Sequence, residues 1–143
     1  MKPLQSVQYR LKLAEGFLQE AQQDLNINRW RSCVDNAQLT VENALKALIA
    51  LWAPVPRTHR PGANLAEMLN QRQIPEHFKI EIGALIAKAG ELDPAIHIQT
   101  DYGDEMSGLT PWDLFDEEDA REAYAIAREV FSLARRIVEE VAM

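Results

Sequence analysis

Apolar residues recur at intervals of three and four along most of the chain, and no run sustains two-residue alternation. That spacing constrains the fold more than any other feature. It traces one face of a 3.6-residue helix and cannot line one face of a strand. In the first segment Leu4, Val7, Leu11, Ala14, Leu18, Ala21 and Leu25 form a single seam, as in a bundle helix. Asn26 or Asn28 supplies a break and a cap.

A second helix is expected over about 28–53. Trp30, Cys33, Val34, Ala37, Val41, Ala44, Leu45, Leu48, Leu51 and Trp52 share one broad stripe. Inside this oily run stand Glu42 and Lys46, one turn apart. At 100° per residue Glu42 falls just past the edge of the stripe and Lys46 falls opposite it. The pair therefore reads as an exposed i,i+4 bridge marking the border of the core. Leu39, Ala47, Ile49 and Ala50 lie off the stripe, so this helix is apolar on more than one side. That suits either a central helix or one at a dimer interface.

Residues 53–64, APVPRTHRPGAN, contain three prolines and one glycine and read as a connection. Asn64 followed by Glu67 resembles a capping box that opens a short helix, NLAEMLNQ. A fourth helix is expected over about 75–92, with Phe78, Ile82, Leu85, Ile86 and Ala89 inward and Pro94 closing it. Residues 94–115 read as a long, irregular, acidic loop in which Thr110-Pro111 starts a single turn. The last helix begins near Asp116 and carries Ala120, Ala123, Tyr124, Ala127, Val130, Phe131, Ala134, Ile137, Val138 and Val141 on one stripe. Acidic residues crowd its first turn and Arg135 and Arg136 stand near its end, matching the helix dipole. The expected fold is all-α: an antiparallel up-and-down bundle of four long helices plus a short helix, spanning 1–143 as one domain.

Composition narrows the function. Hydrophobic residues make up 47% and charged residues 26%, enough for a packed core rather than a disordered chain. A net charge of −7 excludes gripping nucleic acid or an anionic membrane with the whole surface, though not with a local basic site. The single cysteine, Cys33, lies on an apolar helical face and reads as a core residue, and no Cys/His set has zinc spacing. No cofactor or metal is expected. MKPLQSVQYR lacks the apolar segment of a signal peptide, and the run ALKALIALW is too short to span a bilayer. The expected location is the cytoplasm, without membrane contact.

Catalytic motifs are scarce. There is no glycine-rich phosphate loop, no G-x-S-x-G elbow and no H-E-x-x-H. His59, His77 and His97 are scattered. The basic cluster PRTHRP is the clearest candidate site: Arg57, His59 and Arg60 precede a helix start, where guanidinium groups and backbone N–H donors suit a phosphate. Asp101, Asp104 and Glu105 read as solvated carboxylates rather than a cation site.

A long first helix, then AQLTVENALKALIA, then THRPGANLAEML, then DYGDE and LFDEEDAREAYAIAREVFSLARRI together resemble the HEPN domain over nearly the whole chain. The most telling stretch is A-x-x-x-V-E-x-A-L-K-A-L followed by Thr-His and a short helix. The resemblance implies an up-and-down bundle that usually forms a homodimer. It also implies work beside a minimal nucleotidyltransferase, in toxin–antitoxin or nucleotide-handling pairs. Some members are metal-independent ribonucleases that use an Arg followed, after four to six residues, by a His. In those members the motif lies near the start of the last long helix. Here that region, ELDPAIHIQTDY, holds His97 with no Arg at the right distance. One Arg-x4-His string, Arg72 to His77, lies a helix earlier. The reading is therefore a non-catalytic binding and dimerisation module with a nucleotide or RNA ligand. Its rivals are a ribonuclease toxin using Arg72 and His77 and a structural helical subunit without a ligand.

Overall fold

A computed structural model describes residues 3–92 and 96–142. Its helices are α1 (Pro3–Asn26), α2 (Trp30–Trp52), α3 (Pro61–Asn70), α4 (Lys79–Gly90), α5 (Ile96–Tyr102), α6 (Pro111–Leu114) and α7 (Glu117–Ala142), with a 3-10 turn at Glu76–Phe78 before α4. Among the described residues there is no strand, only one bridge between Asp104 and Leu109. The all-α bundle is as expected. Its long members are α1, α2 and α7, while α4 has only 12 residues.

The turn between α1 and α2 follows from Asn28. Its φ is 63°, the left-handed conformation that Asn tolerates better than most residues. The Asn28 N–H donates to Leu25 O at 3.3 Å and the Arg29 N–H to Asp24 O at 2.8 Å, a Schellman closure. Asn28 thus ends α1; Arg29 stands at the start of α2 and makes no side-chain cap. Asp24, buried at this corner, accepts from Ser32 Oγ at 2.7 Å and Asn36 Nδ2 at 2.8 Å. That binds the end of α1 to the first turns of α2.

Helix α2 is the axis of the molecule, in contact with α1, α3, α5, α6 and α7. Every residue from 40 to 50 is buried. This overturns the expectation of an exposed Glu42–Lys46 bridge at the core border: both residues lie inside, at 6% and 8% exposure. A cylinder covered on all sides has no border on which to leave charges. Ile49 and Ala50 are likewise buried within one chain, so they supply no surplus apolar face for a partner. The α7 stripe presents Ala120, Ala123, Ala127 and Ala134 among larger residues, all buried, so the two long helices approach closely. Cys33 Sγ donates to Ala120 O at 3.6 Å across that contact.

Several boundaries differ from the sequence reading. Helix α3 begins one turn before Asn64, with Arg60 at the cap position and Pro61 as first residue. Proline's preset φ and missing N–H favour that start, and Asn64 is interior. Phe78 through Gly90 do not form one helix from Pro75; the 3-10 turn comes first. Pro94, expected to close α4, lies outside the described residues. The stretch expected to be irregular contains α5 and α6. Thr110 caps α6 in a reciprocal box: Asp113 N–H donates to Thr110 Oγ1, and Thr110 N–H donates to Asp113 Oδ2. Helix α7 starts with a similar exchange between Asp116 and Asp119. It runs on past Arg135 and Arg136 to Ala142, so no base sits in its last turn.

Candidate functional site

The connection over residues 53–60 folds back against α2 and brings His59 to Glu42. His59 Nδ1 lies 3.1 Å from Glu42 Oε1, and Lys46 Nζ donates to Glu42 Oε2 at 3.3 Å. A buried carboxylate requires such partners, since an uncompensated charge in the interior is strongly destabilising. Lys46 supplies the balancing charge from one turn along the same helix, and His59 supplies the second contact from the loop. The His59 side chain remains 70% exposed while the Glu42 side chain is 7% exposed. One edge of the imidazole is thereby fixed against the core and the rest of the ring faces outward.

The flanking residues complete the site. Thr58 Oγ1 accepts from the Arg60 N–H at 2.9 Å, tightening the turn that leads into α3. Arg57 and Arg60 are exposed. Among the described residues neither guanidinium is in an ion pair. The Glu42 and Lys46 charges cancel, so two arginines on a pinned loop leave a local positive spot on an acidic chain. The structure thus brings Arg57, His59 and Arg60 together on one short loop. It also adds Glu42 and Lys46, which sequence reasoning assigned to a surface bridge. The missed signal was the surplus of apolar residues around α2: a helix oily on every side buries whatever charges it carries.

Arg72 and His77 stand apart from this loop and from each other's chemistry. No hydrogen bond or ion pair joins them among the described residues. Arg72 has φ 57° and closes α3: its N–H donates to Leu69 O at 3.2 Å, and the Gln73 N–H to Met68 O at 2.9 Å. His77 lies edge-on to Phe78, with ring centroids 4.8 Å apart. Both have evident structural placements. The His97 side chain is not among those described. Among the described residues no three His, Cys, Asp or Glu side chains gather around a common metal position. No helix there is long and apolar enough to cross a membrane.

Residues 7–137 match the family model of the HEPN domain. The chain belongs to the HEPN domain family. A solved structure, that of TT1696 from Thermus thermophilus, superposes on this HEPN chain with a TM-score of 0.74. It shares 23% identity, and the match covers 95% of this chain and 98% of that one. The likeness is one of fold. Among curated proteins none matches significantly in sequence.

Proposed function

We propose that this HEPN chain is a cytoplasmic, non-catalytic module that binds the phosphate of a nucleotide at the Arg57–His59–Arg60 loop. The observation that carries the reading is the 3.1 Å contact between exposed His59 and buried Glu42. It turns a proline-rich connection into a platform of defined position, so that less side-chain and loop entropy is lost when a ligand is held. Arg57 and Arg60 supply forked donors for phosphate oxygens. His59 with Nδ1 facing the carboxylate is held in one ring orientation. Family membership supports two further parts of the reading, a homodimer and a minimal nucleotidyltransferase as partner. Nothing in the placement of Arg72 and His77 favours RNA cleavage by that pair.

Calorimetric titration of nucleoside monophosphates, with and without Arg57→Ala/Arg60→Ala, tests the site. Wild-type binding should weaken with salt, because exposed charges are screened over about 8 Å at physiological ionic strength. The double variant should lose binding. Equal binding by both proteins, or none at millimolar nucleotide, would reduce the loop to a solvated connector.

A further inference from the structure

A cavity of about 590 Å³ opens where α1 begins and α2 ends. That volume lies within the range of small-molecule sites. The chain makes the cavity by the way it leaves α2. Pro54 has no N–H to continue the helix, and Ala53 before it is extended, with φ −155° and ψ 159°. Leu51, Trp52, Pro54 and Val55 form much of the apolar wall, while Ser6 and Arg10, about one turn apart on α1, supply polar side chains. Among the described residues no carboxylate lines it, and Arg57, His59 and Arg60 take no part in it.

Arg10 decides what the cavity prefers. It is half-buried, and among the described residues it is in no ion pair. Its side-chain contact is a long one, from Nη1 to Asn43 Oδ1 at 3.4 Å. A guanidinium keeps its charge and has several N–H donors, so most of its bonding capacity is left for a ligand. A half-buried charge without a counter-ion also costs free energy that an anion would recover. The start of α1 and the end of α2 carry opposite partial charges that offset one another here, so Arg10 sets the sign. Trp52 supplies the other half of the preference. Its half-buried indole is backed by the buried Phe78 ring, with centroids 6.0 Å apart, and gives the cavity a firm apolar side. We propose that this cavity is a second ligand site, for a small monocarboxylate with an apolar body, its carboxylate forked on Arg10 and its body against Trp52. One guanidinium beside an apolar wall balances one negative charge. A phosphomonoester carries nearly two and would leave the excess poorly solvated.

Phenylacetate and phenylacetamide share a ring and a shape and differ in charge. Titrated by calorimetry into the wild-type protein, the acid should bind about tenfold more tightly than the amide, the scale of a charge-assisted hydrogen bond. It should also bind more tightly than acetate, which lacks the apolar body. In the NMR spectrum the indole N–H signal of Trp52, assigned with Trp52→Phe, should shift on titration, while those of Trp30 and Trp112 stay in place. In Arg10→Met the acid and the amide should bind alike. Equal binding of acid and amide by the wild type, or no binding of the acid at millimolar concentration, would overturn the proposal. So would acid binding that leaves the Trp52 signal unmoved. Tighter binding of phenyl phosphate would reassign the cavity to phosphomonoesters and overturn the carboxylate. Loss of acid binding in Arg57→Ala/Arg60→Ala would place the acid on that loop and overturn the second site. If Arg10→Met does not fold, as judged by its thermal melt, the acid–amide comparison and the Trp52 signal of the wild type decide.

Discussion

Arg72 shows how much a single residue's identity can conceal. In the sequence it begins an Arg-x4-His string; in the structure it is the left-handed residue that closes α3. A side chain at positive φ is strained where glycine is not, and the Arg72 side chain is exposed. Arg72→Gly should therefore stabilise the protein by about 0.5–1 kcal/mol, read as a rise in Tm. A fall in Tm would mean that the side chain makes contacts of its own. The same view applies to Cys33, whose thiol is pushed up to about 11 by burial and, secondarily, by Asp24. At pH 8 it should react with a thiol reagent far more slowly than in denaturant. Because the folded value exceeds the unfolded one, the neutral thiol adds stability below about pH 9, the ordinary value. That contribution is lost as pH rises toward about 11. Rapid labelling of the native protein would contradict this placement. The burial of Cys33 was legible from its position on an apolar face. The structural role of Arg72 was not, since no local pattern distinguishes a left-handed Arg from any other.

At the scale of elements, helix positions were legible wherever the apolar seam was long. Helices α1, α2 and α7 lie where the spacing puts them, because burial along many turns outweighs local preference. The short elements were not legible. Helix α5 has seven residues and α6 four, too few for a periodic signal. They are held by ties remote in sequence: Arg31 Nη1 donates to Thr100 O at 2.7 Å, and Thr100 Oγ1 to Asp35 Oδ1 at 3.1 Å. Gly103 is required there, since a Cβ would stand 2.3 Å from Leu109 O and its φ is 70°. The candidate site shows the same division. PRTHRP was visible as a basic cluster, but the Glu42 contact depends on how a 17-residue separation closes in space. Lys46→Met should leave Glu42 without its balancing charge and destabilise the fold by about 3 kcal/mol in chemical denaturation. Glu42→Gln/Lys46→Met should recover most of that loss; failure to recover would show that Lys46 acts through packing rather than charge. The α6 cap is also pH-dependent. Hydrogen bonds from the Thr110 side chain, then its backbone, hold the Asp113 carboxyl below the usual carboxylate range. Its contribution is present above the ordinary value and fades as pH falls through the lowered one, which carboxyl NMR titration would resolve.

On the scale of the whole molecule, the burial of α2 over residues 40–50 leaves the middle of that helix no partner surface. The dimer expected of a HEPN chain cannot use Ile49 or Ala50. The exposed large apolar side chains of one short segment, Tyr102, Met106, Leu109 and Trp112, are the better candidates. Light scattering over a hundredfold dilution should report twice the chain mass, and Met106→Glu/Trp112→Glu should report the chain mass with no loss of Tm. A wild-type monomer at micromolar concentration would remove the dimer; a dimeric double variant would place the interface elsewhere. The polar suspension of α5 from α2 has a kinetic consequence of its own. Residues 96–114 are tied to the bundle through Arg31 and Asp35, the buried Thr100 and Pro111, and the packing of Ile96 and Leu114 on the core. Opening this segment would break fewer contacts than opening any of the three long helices, so it should unfold locally while they stay shut. Its amide hydrogens should exchange with solvent well before those of α2, and a protease should nick it first. The molecule would thus carry its most mobile segment on the same stretch of chain that is best fitted to meet a partner.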